Sequence, residues 1–265
     1  MPFTQSIGEG TITGLAYVGN LARLTGGAAR AVLVEPFRGH PLRLGRAVHQ
    51  AMIAGVGAIP IVSLISFFVG TILALQGAYE LRRLGAMQLV ASAVAISMSR
   101  ELGPLMTAII VIGRSGSAFA AEIGTMKVNE EIDALETMAL EPVPFLVAPK
   151  FLAMVLMMPC LTTWSDFMGV CGGGFFGVTS AGFTWTTYFH ATLNALVRRD
   201  IITGLIKSLM FGVVITAVGC QEGFSTGLGS EEVGRSTTAA VVKSIFLVIA
   251  VDLVFTAIFY FTAPR

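Results

Sequence analysis

Five long apolar stretches decide most of what this chain of 265 residues can fold into. A bilayer core about 30 Å thick takes roughly 20 predominantly apolar residues per helix. Ala51–Ala78 meets that length without one Asp, Glu, Lys or Arg. Ala86–Ile112 meets it with Arg100 and Glu101 inside, and Leu146–Val178 with Lys150, Pro159 and Asp166. Ile201–Cys220 carries Lys207, and Thr238–Thr262 carries Lys243 and Asp252. Backbone groups in lipid must be paired within the structure, and these runs lack the alternation of a barrel strand. The expected fold class is therefore all-α integral membrane, with five transmembrane helices. Composition agrees. Charged residues make up 12% of the chain and hydrophobic ones 54%, with mean hydropathy +0.79. A soluble domain carries about 25% charged residues. A soluble enzyme, a disordered tail and a nucleic-acid binder are excluded, and a net charge of +1 offers polyanions no basic field.

Two domains are expected, an interfacial segment over residues 1–50 and a membrane domain over 51–265. In the first, Ile12, Leu15, Val18, Leu21, Ala28 and Val32 recur at helical spacing while Arg23 and Arg30 share another face. That pattern reads as an amphipathic helix in the membrane surface, or else as one packed on the bundle. No signal-peptide cleavage pattern precedes the first span. Arg23, Arg30, Arg38, Arg43 and Arg46 give the N-terminal side the larger share of basic residues. By the positive-inside rule the N-terminus is expected in the cytoplasm, and five spans then put the C-terminus outside.

The longest interior segment, Gly113 to Phe145, is acidic. Glu122, Glu130, Glu131, Asp133, Glu136 and Glu141 stand against Arg114 and Lys127. Ile123, Met126, Ile132, Leu135 and Met138 fall among them at mostly helical spacing, and Pro142 and Pro144 end the run. A cytoplasmic helix over about 121–140 is expected. Its acids repel anionic headgroups and suit docking on a soluble partner, the alternative being a solvated loop.

Familiar catalytic patterns fail. No G-x-x-x-x-G-K-[ST] is present, so no P-loop binds ATP. Gly172, Gly174 and Gly177 spell G-x-G-x-x-G, but inside an apolar run with no preceding strand. Gly169, Gly173 and Gly177, like Gly219, Gly223 and Gly227, read better as small residues for close helix packing. His40, His49 and His190 are scattered, no G-x-S-x-G occurs, and Cys160, Cys171 and Cys220 suggest neither a disulfide framework nor a metal cage. No catalytic residue and no metal site is expected. The informative residues are the charges inside spans, each costing at least ~2.5–3.5 kcal/mol at the bilayer centre. Arg100 and Glu101 sit near the middle of the second run. Pro104 denies the Arg100 carbonyl its helical donor, so a kink and a polar pocket are expected there. Asp252 lies near the middle of the fifth run. Lys207 and Lys243 are nearer run ends, from which they could snorkel. Arg100, Glu101 and Asp252 form either a substrate path or a structural ion-pair network.

Three segments go further. Ser99-Arg100-Glu101-Leu102-Gly103-Pro104-Leu105, Gly113-Arg114-Ser115-Gly116-Ser117-Ala118 and the run Ala121 to Leu135 (AEIGTMKVNEEIDAL) resemble the MlaE (YrbE) family of permeases. The resemblance extends from about Arg46 to the C-terminus. It implies an N-terminal interfacial helix, five membrane helices and a cytoplasmic coupling helix. It also implies a permease homodimer in the bacterial inner membrane, two cytoplasmic ABC ATPase subunits and a periplasmic Mce-domain ring. ATP and magnesium would be held by the ATPases, so this chain would bind no cofactor itself. The implied cargo is phospholipid or a related lipid, moved between inner and outer membranes and maintaining outer-membrane asymmetry. By the same resemblance Arg100 and Glu101 match the charged pair of the family's lipid cavity, to which Lys207, Arg235 and Asp252 are added as polar groups of the cavity or its gate. Glu122, Lys127, Glu130, Glu131, Asp133 and Glu136 fall on the coupling helix that seats in the ATPase. Two other readings use the same residues, a self-sufficient ion- or proton-coupled transporter or channel, and a scaffold that anchors a lipid-binding ring without transport.

Overall fold

The computed structural model describes residues 2–34 and 44–262, with side chains from Ile12 onward except Thr13. Arg38, His40 and Arg43 lie outside the described residues. The described residues are mostly helical, joined by short turns, with no strand among them. Helix α1 covers Pro2–Leu33, α2 Leu44–Ala54 and α3 Ile59–Arg83. Val90–Ser97 is α4, Gly103–Val111 α5, Ser117–Val128 α6 and Glu131–Thr137 α7. Ala148–Ser180 is α8, Trp185–Ala195 α9, Arg198–Phe224 α10 and Ser230–Phe261 α11. Five helical stretches are long and apolar enough to cross a membrane: Leu44–Arg83, Met87–Val128, Val143–Ser180, Arg198–Phe224 and Ser230–Phe261. The fifth is the least buried of them and leaves Phe246, Leu253 and Ile258 exposed on the outside.

Helix α1 divides between the two readings of its sequence. Ile12, Leu15 and Val18 are exposed, as an interfacial stripe requires, whereas Leu24, Ala28 and Ala31 are buried against the bundle. The apolar repeat alone does not separate these halves, because both faces need the same residue types.

The second span is one helix interrupted twice. Pro104 has no N–H for the Arg100 carbonyl, and the chain answers with a π turn over Met98–Leu102, closed by Gly103 N–H onto the Met98 carbonyl. A second π turn over Ile112–Gly116 aims Arg114 and Ser115 at the end of α2. Arg114 Nη1 donates to the Ile53 carbonyl at 2.9 Å and Ser115 Oγ to the Ala54 carbonyl at 3.3 Å, pairing carbonyls the helix end would leave open.

Two expectations need correction here. The second span does not end with its apolar run at Ile112: helix continues to Val128 and packs against α10 and α11. The helix expected over 121–140 is broken. Asn129 closes α6, and Glu130 turns the chain with φ 59°, a left-handed conformation in which short polar residues and glycine are the usual occupants. The short α7 then starts at Glu131. Ile123, Ile132 and Leu135 point into the bundle core, so the face left outside is acidic and not apolar.

The third span is the centre of the bundle. It meets the first along a seam of small residues. Gly70 lies against the Gly169 carbonyl and Gly172 against the Phe67 carbonyl, too close in each case for a Cβ. Across the seam Ser66 and Ser165 share a hydrogen bond of 2.7 Å, and Thr71 Oγ1 donates to the Gly172 carbonyl at 3.0 Å. Gly169 serves the close helix packing expected of its spacing, since its backbone is what Gly70 meets. The missing Cβ atoms of Gly169, Gly173 and Gly177 also make room for side chains, Met98 at Gly169 and Tyr188 of α9 at Gly173 and Gly177. Gly70→Val puts a branched side chain where a backbone carbonyl stands, an overpacking worth roughly 1–3 kcal/mol. It should lower the melting temperature of the purified protein in detergent or nanodiscs, and an unchanged melting temperature would contradict the seam.

Candidate functional site

The candidate site is a charge-balanced cavity between the second, fourth and fifth spans. The π turn at Met98–Leu102 re-aims two consecutive charged side chains. Arg100 faces the start of α10, and Glu101 faces the gap between α10 and α11. Asp200 sits in the first turn of α10, where an acid complements the helix N-terminus. Its Oδ2 accepts the Val197 N–H at 3.3 Å, and its Oδ1 accepts Arg100 Nε at 2.7 Å. Arg100 Nη2 lies 2.6 Å from the same oxygen. Asp200 is buried, whereas the Arg100 side chain is 53% exposed, so the guanidinium faces the cavity.

Two turns further along α10, Lys207 is 1% exposed. Its ammonium bonds Glu101 Oε2 at 2.5 Å and Thr256 Oγ1 at 2.7 Å, and stands 2.9 Å from Asp252 Oδ1. Thr256 in turn donates to Glu101 Oε1 at 3.0 Å. One ammonium thus serves two carboxylates on two other spans. Lys207 does not snorkel to an interface. Lys207 is nine residues inside the start of α10 and Asp252 nine before the end of α11, which is about 14 Å of helix from that end of the bundle.

Above this triad lies a cavity of about 240 Å³, reached from the end of the bundle that carries α9. Arg100, Glu101, Arg199, Asp200, Lys207 and Thr256 line it, with Phe259 and Tyr260 at the apolar edge. Arg199 Nη2 is anchored on the Phe259 carbonyl at 3.0 Å. Three basic groups, Arg100, Arg199 and Lys207, face three acids, Glu101, Asp200 and Asp252. These charges balance; Arg100 is the exposed cation and Arg199 is half-buried.

Of the residues the sequence singles out, Arg100, Glu101, Lys207 and Asp252 are brought together. Arg235 is not: it lies in the second turn of α11, at the opposite end of the bundle, 81% exposed and 3.5 Å from Glu232. Asp200 and Arg199 were not singled out. The only signal for them is the position of an Arg-Arg-Asp triplet at the mouth of an apolar run, where a helix start wants an acid.

A second set of ion pairs sits at the α7 end. Lys150, buried, pairs with Glu122 at 2.7 Å and lies 5.2 Å from the Phe119 ring. Lys243 pairs with both oxygens of the buried Glu222, at 2.7 and 2.8 Å, and lies over the Tyr17 ring of α1. Burial and the nearby Glu222 carboxylate push the Tyr17 phenol above its ordinary value. Lys127 Nζ donates to the Phe224 carbonyl at the end of α10. Glu122 and Lys127 are therefore engaged within the bundle, while Glu130, Glu131, Asp133 and Glu136 are exposed around α7.

The sequence that folds this way has relatives. Residues 47–258 match the family described as permease MlaE. The chain belongs to the MlaE permease family. A probable ABC transporter permease protein of Rickettsia felis is 37% identical over 256 residues, 97% of each chain. The intermembrane phospholipid transport system permease protein MlaE of Haemophilus influenzae is 36% identical over 214 residues, covering 80% of this chain and 82% of the relative. The chloroplastic protein TRIGALACTOSYLDIACYLGLYCEROL 1 of Arabidopsis thaliana is 35% identical over 206 residues, 78% of this chain and 59% of the relative. As an MlaE-family permease the chain is a multi-pass membrane protein of the ABC transporter class.

Lys207→Met leaves the half-buried Glu101 and Asp252 without their shared cation. Removing one partner of a fully buried pair costs roughly 3–5 kcal/mol, and the part-exposure of the carboxylates puts this loss below that range. The single variant should unfold at markedly lower temperature, and adding Glu101→Gln and Asp252→Asn should restore most of the loss. A single variant as stable as wild type would show that the three charges do not depend on one another.

Proposed function

We propose that this MlaE-family chain is the permease subunit of an ABC transporter that moves phospholipid, or a related lipid, between inner and outer membranes and so maintains outer-membrane asymmetry. Two copies assemble as a homodimer, two cytoplasmic ATPases hydrolyse ATP, and a periplasmic Mce-domain ring receives or delivers the lipid. The N-terminus and the α7 end face the cytoplasm, and the cavity opens toward the periplasm.

The observation that carries this reading is the half-exposed Arg100 guanidinium, paired on one side with Asp200, in a cavity that Arg199 also lines without an acid partner among the described residues. A guanidinium offers N–H donors in a planar fork suited to phosphate oxygens. Arg100 spends only Nε and Nη2 on Asp200, and Arg199 supplies a second cation at the mouth. At about 240 Å³ the cavity takes a headgroup and not a whole lipid. The acyl chains would then run along the exposed apolar face of α11, where Phe246 and Leu253 stand, and a second copy would enclose them. The Haemophilus relative is named for intermembrane phospholipid transport, and the Rickettsia relative for an ABC permease. Those names favour ATP-driven transport over a self-sufficient channel or an inert scaffold. The exposed acids on and beside α7 are the natural contact for a soluble ATPase.

Two measurements test this. In proteoliposomes with its ATPase, Arg100→Ala and Arg199→Ala should each lower ATP-dependent transfer of labelled phospholipid while the complex still assembles. Normal transfer by both would make the arginines structural. Charge reversal at Glu130, Glu131 and Glu136 together should weaken co-purification of the ATPase without lowering the melting temperature of the permease. Unchanged co-purification would place the contact elsewhere.

A further inference from the structure

Asp166 takes no part in the cavity. It stands on α8 with Oδ1 buried against Gly103, the residue at which the second span leaves its π turn. Thr107 and Thr162, both fully buried, also carry hydroxyls without a partner among the described residues. Helix register brings the three together. The second and third spans run antiparallel, with Val94 against Gly173, Met98 against Gly169 and Gly103 against Asp166. One further turn on each helix sets Thr107 against Thr162, on the same faces as Gly103 and Asp166.

An ionised carboxyl away from water needs a counter-charge. Apart from the exposed Glu80 and Glu231 at span ends, the other acids inside spans have one: Glu101 and Asp252 share Lys207, Asp200 has Arg100, Glu122 has Lys150, Glu222 has Lys243, and Glu232 has Arg235. Asp166 has no ion pair or hydrogen bond among the described residues. The elements packed around it bring none to spare. On the π turn and α10 the charged groups are Arg100, Glu101, Asp200 and Lys207, all paired in the cavity, with Arg199 anchored on the Phe259 carbonyl, Arg198 exposed at the start of α10 and Glu222 paired with Lys243 at its far end. On α8 itself Lys150 is taken by Glu122, and Cys171 lies more than a turn away. Helices α4 and α5 carry no charge, and α3 has none before Glu80. Helix α9 contributes the Tyr188 hydroxyl two turns away at Gly173, and α2 carries Arg46 and His49 nearer the α7 end.

We propose that Asp166, Thr107 and Thr162 form a buried site for one monovalent cation, a proton or a sodium ion, between the second and third spans. A proton would sit on the carboxyl, with the two hydroxyls as hydrogen-bond partners. A sodium ion, being hard, would take the carboxylate and hydroxyl oxygens as ligands. Either supplies the one positive charge that the pairing pattern lacks. The site is distinct from the lipid cavity and does not depend on the cargo assigned there.

The full-length protein in lipid nanodiscs distinguishes the sources. With a proton, infrared spectra in D2O contain the C=O band of a protonated carboxyl, independent of sodium, and Asp166→Asn removes it. With sodium, replacing choline chloride by sodium chloride at fixed ionic strength raises the melting temperature, and Asp166→Asn abolishes the rise. The double variant Thr107→Val with Thr162→Val keeps the carboxyl and side-chain shape. It should shift the band in the first case or diminish the sodium response in the second. Neither signal in wild type, or an undiminished signal in Asp166→Asn, overturns the proposal. A band and a sodium response both unchanged in the threonine variant overturn the three-residue site.

Discussion

The structure depends on one ammonium group. Lys207 is buried on the fourth span, and its charge is tolerated only because Glu101 of the second span and Asp252 of the fifth close on it. Each carboxylate is in turn tolerated only because of Lys207. In a low-dielectric interior such an arrangement is a strong condition on geometry: three spans must meet at one depth with side chains aimed inward. The π turn at Met98–Leu102 meets that condition for the second span. A regular helix would place Arg100 and Glu101 about 100° apart with no adjustment to either partner. The wider turn, forced by Pro104, lets Glu101 reach the triad while Arg100 reaches Asp200 at the cavity wall.

The same helix joins the two ends of the molecule. From Met87 to Val128 it carries the cavity pair, the Arg114 cap on α2, the Glu122–Lys150 pair and Lys127, which holds the end of α10. Glu130 then breaks it, and α7 presents its acids. Motion of α7 on a partner would act on a rigid element packed against α10 and α11, the helices that carry the cavity's other charges. The ion pairs at Glu122 and Glu222 fix that end of the bundle as Lys207 fixes the other.

Much of this was legible in the sequence. Five apolar runs specify five helices because lipid leaves no other solution for the backbone. Arg100, Glu101 and Asp252 were legible as a set because charge at that depth is costly, and Pro104 marked the interruption. Other features were not. Lys207 read as a snorkelling residue because distance from a run end cannot reveal a partner on another span. Asp200 was hidden at a run boundary, and its role depends on which side of a helix Arg100 turns to. Arg235 was grouped with the cavity although α11 carries it to the far end. The break at Glu130 was missed because a left-handed glutamate leaves no glycine signature. The glycine spacing predicted close helix packing, and Gly169 and Gly219 take part in it, but their partners and the contact at Gly172 are fixed by the relative rotation of the helices.

The central claim is that the neutral cavity accepts an anionic lipid headgroup at its arginines. A photoreactive amino acid placed at Thr203 or Phe259, both in the cavity wall, tests it directly in native membranes. Illumination should attach phospholipid at these positions far more than at Leu156, which is exposed on the outer face of the third span. The difference should vanish when Arg100→Ala and Arg199→Ala are combined. Equal capture at all three positions, or capture that ignores the arginines, would contradict the account.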